Sequence, residues 1–370
     1  MNSACLKICL LEPYYGGSHR RWADEYKRFS SHRVDILSLP PRHWKWRMHG
    51  AAVSFAGQLI ESGERYDLIL ANDLMDVAVF ISLTREAGIE SPVASYFHEN
   101  QISYPLSPSD TDREAGRDLH YGYINYTTAL ASSAVFFNSE FHRRSFLESL
   151  PAFLGRFPDH QNMETIARIE QKSRALPLGM DLHALDQLKP GQDKPVNREP
   201  LLLWNHRWEF DKCPQGFMDI LLELQNRQIP FKIALLGQKL EEADEGIMEK
   251  IKRLGDRVLH LGAVESASDY AHWLWEADIL PVTAIQDFFG GSVVEAVYCG
   301  CHPVLPNRLA YPEHFADAPV FFETESDAIE MLVDLITSGD WRKPCPLSGQ
   351  LRQYDWSELA PAYDQAMREI

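Results

Sequence analysis

The chain has 370 residues, 45% of them apolar, and a formal net charge of −17. That length holds two domains of ordinary size with full cores, and no stretch approaches the ~18 consecutive apolar residues of a membrane span. The acidic balance argues against general nucleic-acid affinity, which needs lysines and arginines to displace counterions, although it leaves room for a local basic patch.

From the N-terminus, Leu6 to Leu11 reads as a first buried strand. Its apolar run is too short for a secretion signal and ends in Glu12. Cys5, Cys9, Cys213, Cys299, Cys301 and Cys345 are scattered and form no disulfide framework. Together these features predict a reducing, cytoplasmic location. Cys299-Gly300-Cys301 has no second Cys/His cluster of matching spacing, so its thiols are read as packing rather than zinc ligands. After the first strand comes Glu12-Pro13-Tyr14-Tyr15-Gly16-Gly17-Ser18-His19. Adjacent glycines there allow close approach of backbone to a ligand, and equally suit a plain tight turn. A second strand, Val34 to Leu39, leads into Arg42-His43-Trp44-Lys45-Trp46-Arg47-Met48-His49. Two tryptophans alternate with three cations there. Unpaired RNA bases stack on such planes while cations meet phosphates; a stretch covering an interdomain cleft would look the same.

Further strands are expected at Tyr66–Ala71, Ser91–Phe97 and Ala134–Phe137, followed by Asn72-Asp73, His98-Glu99-Asn100 and Asn138-Ser139-Glu140. Apolar runs ending in polar residues are the pattern of parallel strands with functional C-terminal loops. Residues 104–120 read as a mobile polar loop. Ala175 to Asp181 closes a first domain, 1–181, and residues 182–199 read as a linker. A second alternation follows in 200–350, with strands at Leu201–Asn205, Phe231–Gly237, Val258–Gly262, Ala277–Val282 and Pro303–Pro306. Residues 351–370 form an amphipathic C-terminal helix. The fold class is therefore α/β, with two Rossmann-like domains whose parallel sheets face an interdomain cleft.

Two motifs in the second domain carry chemistry. Arg207 and Lys212 lie five residues apart on a strand-to-helix connection. A guanidinium grips phosphate oxygens bidentately and an ammonium adds a point charge. Asp287-Phe288-Phe289-Gly290-Gly291-Ser292-Val293-Val294-Glu295 then sets two carboxylates around a glycine pair at the start of an apolar helix, where free N–H groups and the dipole attract anions. Both spacings resemble those of retaining GT-B glycosyltransferases. Their first acid is usually Glu; here it is Asp287, one methylene shorter.

Longer stretches resemble one family within that class. They are Glu12 to His19, Arg42 to Met48, His98-Glu99-Asn100-Gln101 with Tyr104-Pro105, Asn138 to Arg143, Trp204 to Glu209, Glu295 to Cys301 and Leu305 to Pro312. The family is that of the tRNA-queuosine α-mannosyltransferases. The resemblance implies an enzyme moving mannose from GDP-mannose, with retention, to the cyclopentenediol of queuosine in tRNA-Asp. It implies that His98, Arg207, Lys212 and Asp287 act in catalysis. Gly16, Gly17, Ser18, Arg207, Lys212, Asp287, Phe289, Gly290, Gly291, Ser292, Val293 and Glu295 would bind the donor, with Glu295 on the ribose. It also implies that the C-terminal helix crosses back to the first domain. Arg42, Trp44, Lys45, Trp46 and Arg47 are the expected acceptor residues. No Asp-x-Asp signature stands where a diphosphate would lie, so neither metal nor other cofactor is expected. The same donor chemistry on a small or lipid acceptor, or a non-catalytic nucleotide-sugar or RNA-binding module, stays open. So does the oligomeric state.

Overall fold

Alternating strands and helices build two parallel sheets of six strands each in the computed structural model, which describes residues 5–107, 110, 112, 118–189, 191, 197–238, 240, 245–316 and 318–370. One compact unit comprises Met1–Met180 with Trp356–Ile370; the other comprises Asp181–Asp355.

In the first unit the strands are β1 Lys7–Glu12, β2 Arg33–Ser38, β3 Leu68–Asn72, β4 Val93–Phe97, β5 Ala134–Phe137 and β6 Ser173–Ala175, ordered β2-β1-β3-β4-β5-β6. Side-chain alternation divides β1 between two cores. Ile8 and Leu10 pack with Trp22 and Tyr26 of helix α1 (Gly17–Phe29) and with Trp356 and Tyr363 of the terminal helix Trp356–Arg368. Cys9 and Leu11 pack on the other face with Ala52, Phe55 and Leu59 of α2 (Trp44–Ser62) and with Val77 and Phe80 of α3 (Val77–Glu86). Both sheet faces are covered, which is why these strands read as unbroken apolar runs. The order reverses at β1, which lies between β2 and β3, so the C-terminal ends of β1 and β3 flank a topological switch point.

The second unit repeats the plan with β7 Leu201–Trp204, β8 Lys232–Leu235, β9 Val258–Leu261, β10 Ile279–Pro281, β11 His302–Pro306 and β12 Phe321–Phe322, ordered β12-β11-β10-β7-β8-β9. Its switch point lies between β7 and β10. The buried face of helix Pro214–Asn226, from Phe217 to Leu224, packs on Leu202, Trp204, Ile233 and Leu235.

Three expectations change. The stretch Ala175 to Asp181, expected to close the first domain, shares only Ala175 with β6 (Ser173–Ala175), and the chain beyond it leaves the sheet. The stretch read as linker opens with a helix, Leu182–Gln187, capped by Asp181, whose side chain accepts from the Ala184 N–H at 3.1 Å. The loop expected over 104–120 lies partly outside the described residues, and a helix begins by Asp118. No helix among the described residues is long and apolar enough to cross a membrane. Cys299 and Cys301 are buried, the latter with its thiol against the Ala277 carbonyl at 3.3 Å.

Candidate active site

In the second unit the polar groups gather at the β7/β10 switch point. After β7, the Asn205 side-chain amide donates to the Ser292 carbonyl at 2.8 Å, and His206 Nδ1 lies 3.1 Å from Ser292 Oγ. The end of β7 is thus tied to the start of the helix Gly291–Tyr298. A 3₁₀ turn, Phe210–Lys212, then turns Lys212 inward. Its backbone is fixed because Thr283 Oγ1 donates to the Lys212 carbonyl at 3.0 Å and the Ile285 N–H donates to the Asp211 carbonyl at 2.8 Å. Lys212 Nζ donates to the Gln286 carbonyl at 2.8 Å and lies 3.2 Å from Asp287 and 3.3 Å from Asp211. Asp287 also accepts from the Tyr311 hydroxyl at 3.2 Å. Arg207, half exposed, pairs with Glu209 at 2.9 Å.

Burial works against the charge on both Lys212 and Asp287, but each outweighs it for the other. The Asp287 and Asp211 carboxylates lift the ammonium above its usual pKa, while Lys212, helped by the Tyr311 hydroxyl, holds the Asp287 carboxyl below its own. The pair is ionised at neutral pH. His206 goes the other way: burial and the nearby Lys212 cation lower it to about 4, so the ring is neutral.

Gly290, the N-cap of the Gly291–Tyr298 helix, has φ +84, and a Cβ there would meet the Tyr311 ring at 2.8 Å. No side chain caps that first turn. Its backbone donors and dipole therefore remain a place for an anion. Val293 is buried in the helix, and Phe289 is buried before it, with its carbonyl bonded to His314 Nε2. One turn in, Glu295 is buried and accepts from the Tyr270 hydroxyl at 3.0 Å. The structure thus brings Lys212, Asp287 and the glycine loop together, and adds Gln286, Tyr311, Tyr270 and Asn205. Sequence spacing gave no signal for Tyr270 or Tyr311, which come from separate elements.

In the first unit His98 follows β4, and its backbone N–H donates to Asp73 Oδ1 at 3.0 Å. Its ring lies 4.5 Å from that of His19 and 4.7 Å from that of Trp22. Burial pushes His98 well below the usual histidine pKa, and the cation on His19 adds to this. His19 is itself desolvated, yet the Glu12 carboxylate at 3.5 Å raises it to about 9. Gly17 and Ser18 are exposed at the start of α1, and Gly16 has a packing reason: a Cβ there would meet Pro41 at 2.4 Å.

The basic, tryptophan-bearing segment is mostly the first turn of α2, and helical geometry sorts its members. Trp44 turns inward against Tyr121, ring centroids 5.2 Å apart, beside Met48 and Leu74. Lys45 is held by Asp110 at 2.8 Å and by Asp112 at 2.5 Å. Arg47 donates to the Pro40 carbonyl at 3.2 Å. Arg42 is exposed, and Trp46 is 62% exposed with its ring laid along Gly50. The segment expected to act as one surface therefore presents mainly Arg42 and Trp46.

Comparison with solved structures gives the fold. An Anabaena HepE in complex with UDP and glucose superposes with a TM-score of 0.69 at 15% identity, covering 99% of this chain and 100% of that one. Sucrose-phosphate synthase from Thermosynechococcus elongatus superposes at 0.70 with 15% identity, covering 98% of each. These are glycosyltransferase folds of the GT-B type, with two Rossmann-like domains. In sequence, residues 7–180 match the family described as tRNA-queuosine alpha-mannosyltransferase N-terminal. A tRNA-queuosine alpha-mannosyltransferase of Drosophila melanogaster is 33% identical over 320 residues, which is 85% of this chain and 82% of that protein. The chain is a member of the tRNA-queuosine α-mannosyltransferase family.

Proposed function

We propose that the chain transfers mannose from GDP-mannose, with retention, to the cyclopentenediol of queuosine in tRNA-Asp, in the cytoplasm. The observation that carries this reading is the ionised Lys212–Asp287 pair beside an uncapped, glycine-led helix start, with Glu295 one turn further on. Lys212 and Arg207 take the diphosphate, and the Gly290-Gly291-Ser292 backbone supplies further donors to it. Asp287 accepts from mannose hydroxyls, and Glu295 accepts from the ribose. Positive charge is concentrated where negative charge develops as the bond from C1 to the phosphate oxygen breaks. The acceptor hydroxyl attacks C1 on the face the phosphate leaves, and its proton passes to the departing phosphate, giving GDP. No protein carboxylate needs to form a covalent sugar intermediate, unlike the two-carboxylate glycosidase scheme.

The test incubates the protein with GDP-mannose and total tRNA and weighs the digested nucleosides. A mannose adduct on queuosine is expected; transfer only to small or lipid acceptors, or donor binding without turnover, would overturn the reading. Two fixed cations serve the diphosphate, so the reaction is proposed to need no metal. Transfer to tRNA folded beforehand with magnesium should persist at excess chelator. Activity abolished by chelation and restored by manganese, with the tRNA still folded, would refute this.

Acceptor tRNA is met by local cations and stacking, because the chain as a whole repels it. Arg42→Ala with Trp46→Ala is expected to raise the tRNA KM by about tenfold, in line with roughly 1–3 kcal/mol for one stacked base, and to reduce the salt slope by about one. Lys45→Ala should do less to tRNA binding, since its ammonium already has two carboxylate partners. Filter binding at several salt concentrations separates these. Loss of GDP affinity in the double variant would move the segment to the donor side.

A further inference from the structure

In the second unit one hydrogen-bonded chain of side chains runs from the start of the glycine-led helix to Glu295. Asn205, just after β7, donates from its side-chain amide to the Ser292 carbonyl at 2.8 Å and to the Tyr270 hydroxyl at 3.2 Å. That hydroxyl donates in turn to Glu295 Oε2 at 3.0 Å. The ends of the chain fix its direction. A backbone carbonyl can only accept, so the amide nitrogen of Asn205, not its oxygen, must face Ser292. The phenol then receives a proton from Asn205 and has its own to give to the carboxylate. Tyr270 comes from a separate element, the helix Ala267–Glu276, whose cap Ser266 accepts from the Asp269 N–H at 3.0 Å. Ala271, Leu274 and Trp275 are the buried residues of that helix, and Leu274 lies one turn on from Tyr270, so the stripe that anchors the helix also places the phenol. Asn205, Tyr270 and Ser292 are half-buried, so the chain lines a surface of the second unit rather than its core.

This chain answers a need of the ribose contact. Two vicinal hydroxyls bring two donors, and one planar carboxylate takes both only when its plane is aligned with them. The last torsion of a glutamate is broad, so the helix backbone alone does not set that plane. A phenol held against Oε2 does. We propose that Tyr270, itself oriented by Asn205, is the positioning residue that aligns the Glu295 carboxylate with the two hydroxyls of the donor's ribose. This rests on the function proposed above and names what makes its ribose contact selective. Tyr270 need not touch the nucleotide, because it acts through Glu295. Since Asn205 also holds the Ser292 carbonyl, the ribose acid and the helix start proposed for the diphosphate keep a fixed relation to each other.

Tyr270→Phe keeps the ring and removes only the hydroxyl. The test is calorimetry with GDP beside its 2′,3′-dideoxy analogue, which keeps the base and the diphosphate and lacks both ribose hydroxyls. Wild-type protein is expected to prefer GDP by roughly ten- to a hundredfold. In Tyr270→Phe, GDP should weaken by about tenfold, and the preference for GDP should fall by the same factor. Affinity for the dideoxy analogue should stay within about twofold, the range of an independent site. A role in folding alone would not separate the two nucleotides in this way. Equal weakening of both would therefore overturn the proposal, and so would unchanged GDP affinity. A double-mutant cycle checks the route. Once Glu295→Ala has removed the carboxylate, adding Tyr270→Phe should weaken GDP by no more than about twofold. A full further loss there would show that Tyr270 acts other than through Glu295 and would overturn the proposal. Wild-type protein that binds both nucleotides equally would overturn the ribose role of Glu295 in the proposed function, and this inference with it. A wild-type preference that survives intact in Tyr270→Phe overturns this inference alone.

Discussion

Lys212→Ala is expected to slow transfer by about 10²–10³-fold, the usual effect of removing one fixed donor from a developing oxyanion. It should also lower stability, for a reason the second unit makes specific. Lys212 is only 11% exposed and lies within 3.3 Å of both Asp211 and Asp287, so its removal leaves two carboxylates facing each other without their cation. Breaking a buried pair in this way costs roughly 3–5 kcal/mol. Arg207→Ala separates the two effects. Arg207 is half exposed and pairs with the nearby Glu209, and such surface pairs contribute about 0–1 kcal/mol. Its loss should therefore slow transfer by one to three orders of magnitude with little change in melting temperature. Arg207→Lys should not restore the rate, because an ammonium lacks the bidentate fork. Steady-state kinetics beside thermal unfolding checks all three variants. Wild-type turnover in Arg207→Ala or Lys212→Ala would remove the diphosphate clamp from the mechanism.

That contrast could not be read in advance from the Arg207–Lys212 spacing. Spacing placed both cations on one connection after β7, and the structure agrees. What distinguishes them is contact across the sheet: Lys212 meets Gln286 and Asp287, more than seventy residues away, because β10 lies beside β7. The strands themselves were legible because both faces of each sheet are buried, so β1, β3, β4 and β7 stand out as apolar runs broken by Glu12, Asn72, His98 and Asn205. Elements with little burial to declare were not: the helix Leu182–Gln187 is short and runs into a polar stretch containing proline and glycine, and β12 is two residues long. The segment from Arg42 to His49 shows a different loss. Read as alternating aromatic and basic residues it looks like one surface. Read with a period of 3.6, Trp44, Met48, Ala51, Ala52 and Phe55 form an inward stripe and Trp46 points out, which is what α2 does.

Asp287→Asn and Glu295→Gln are expected to fail in different ways, although the two acids belong to one motif. Glu295 is buried one turn into its helix, where it accepts from Tyr270, and its carboxylate is the group proposed to take a ribose hydroxyl. A charge-assisted hydrogen bond contributes about 1.5–3 kcal/mol, so Glu295→Gln should weaken GDP by roughly ten- to a hundredfold. Asp287 touches Lys212 and Tyr311 at the loop, ahead of the helix. Asparagine there still accepts from both, and Lys212 keeps Asp211 as a counter-ion, so GDP affinity should hold within about twofold. The sugar hydroxyls, however, would lose an ionised acceptor whose low pKa keeps it charged across the neutral range. Transfer by Asp287→Asn should accordingly fall by about 10–10²-fold in kcat, through misplacement of C1 relative to the acceptor. Calorimetry with GDP alone, set beside kcat for transfer, distinguishes the two acids. If Asp287→Asn lost GDP affinity while Glu295→Gln kept it, ribose and sugar would have to exchange places along the Gly291–Tyr298 helix. The single methylene by which Asp287 is shorter than the usual glutamate would then no longer bear on recognition of the sugar.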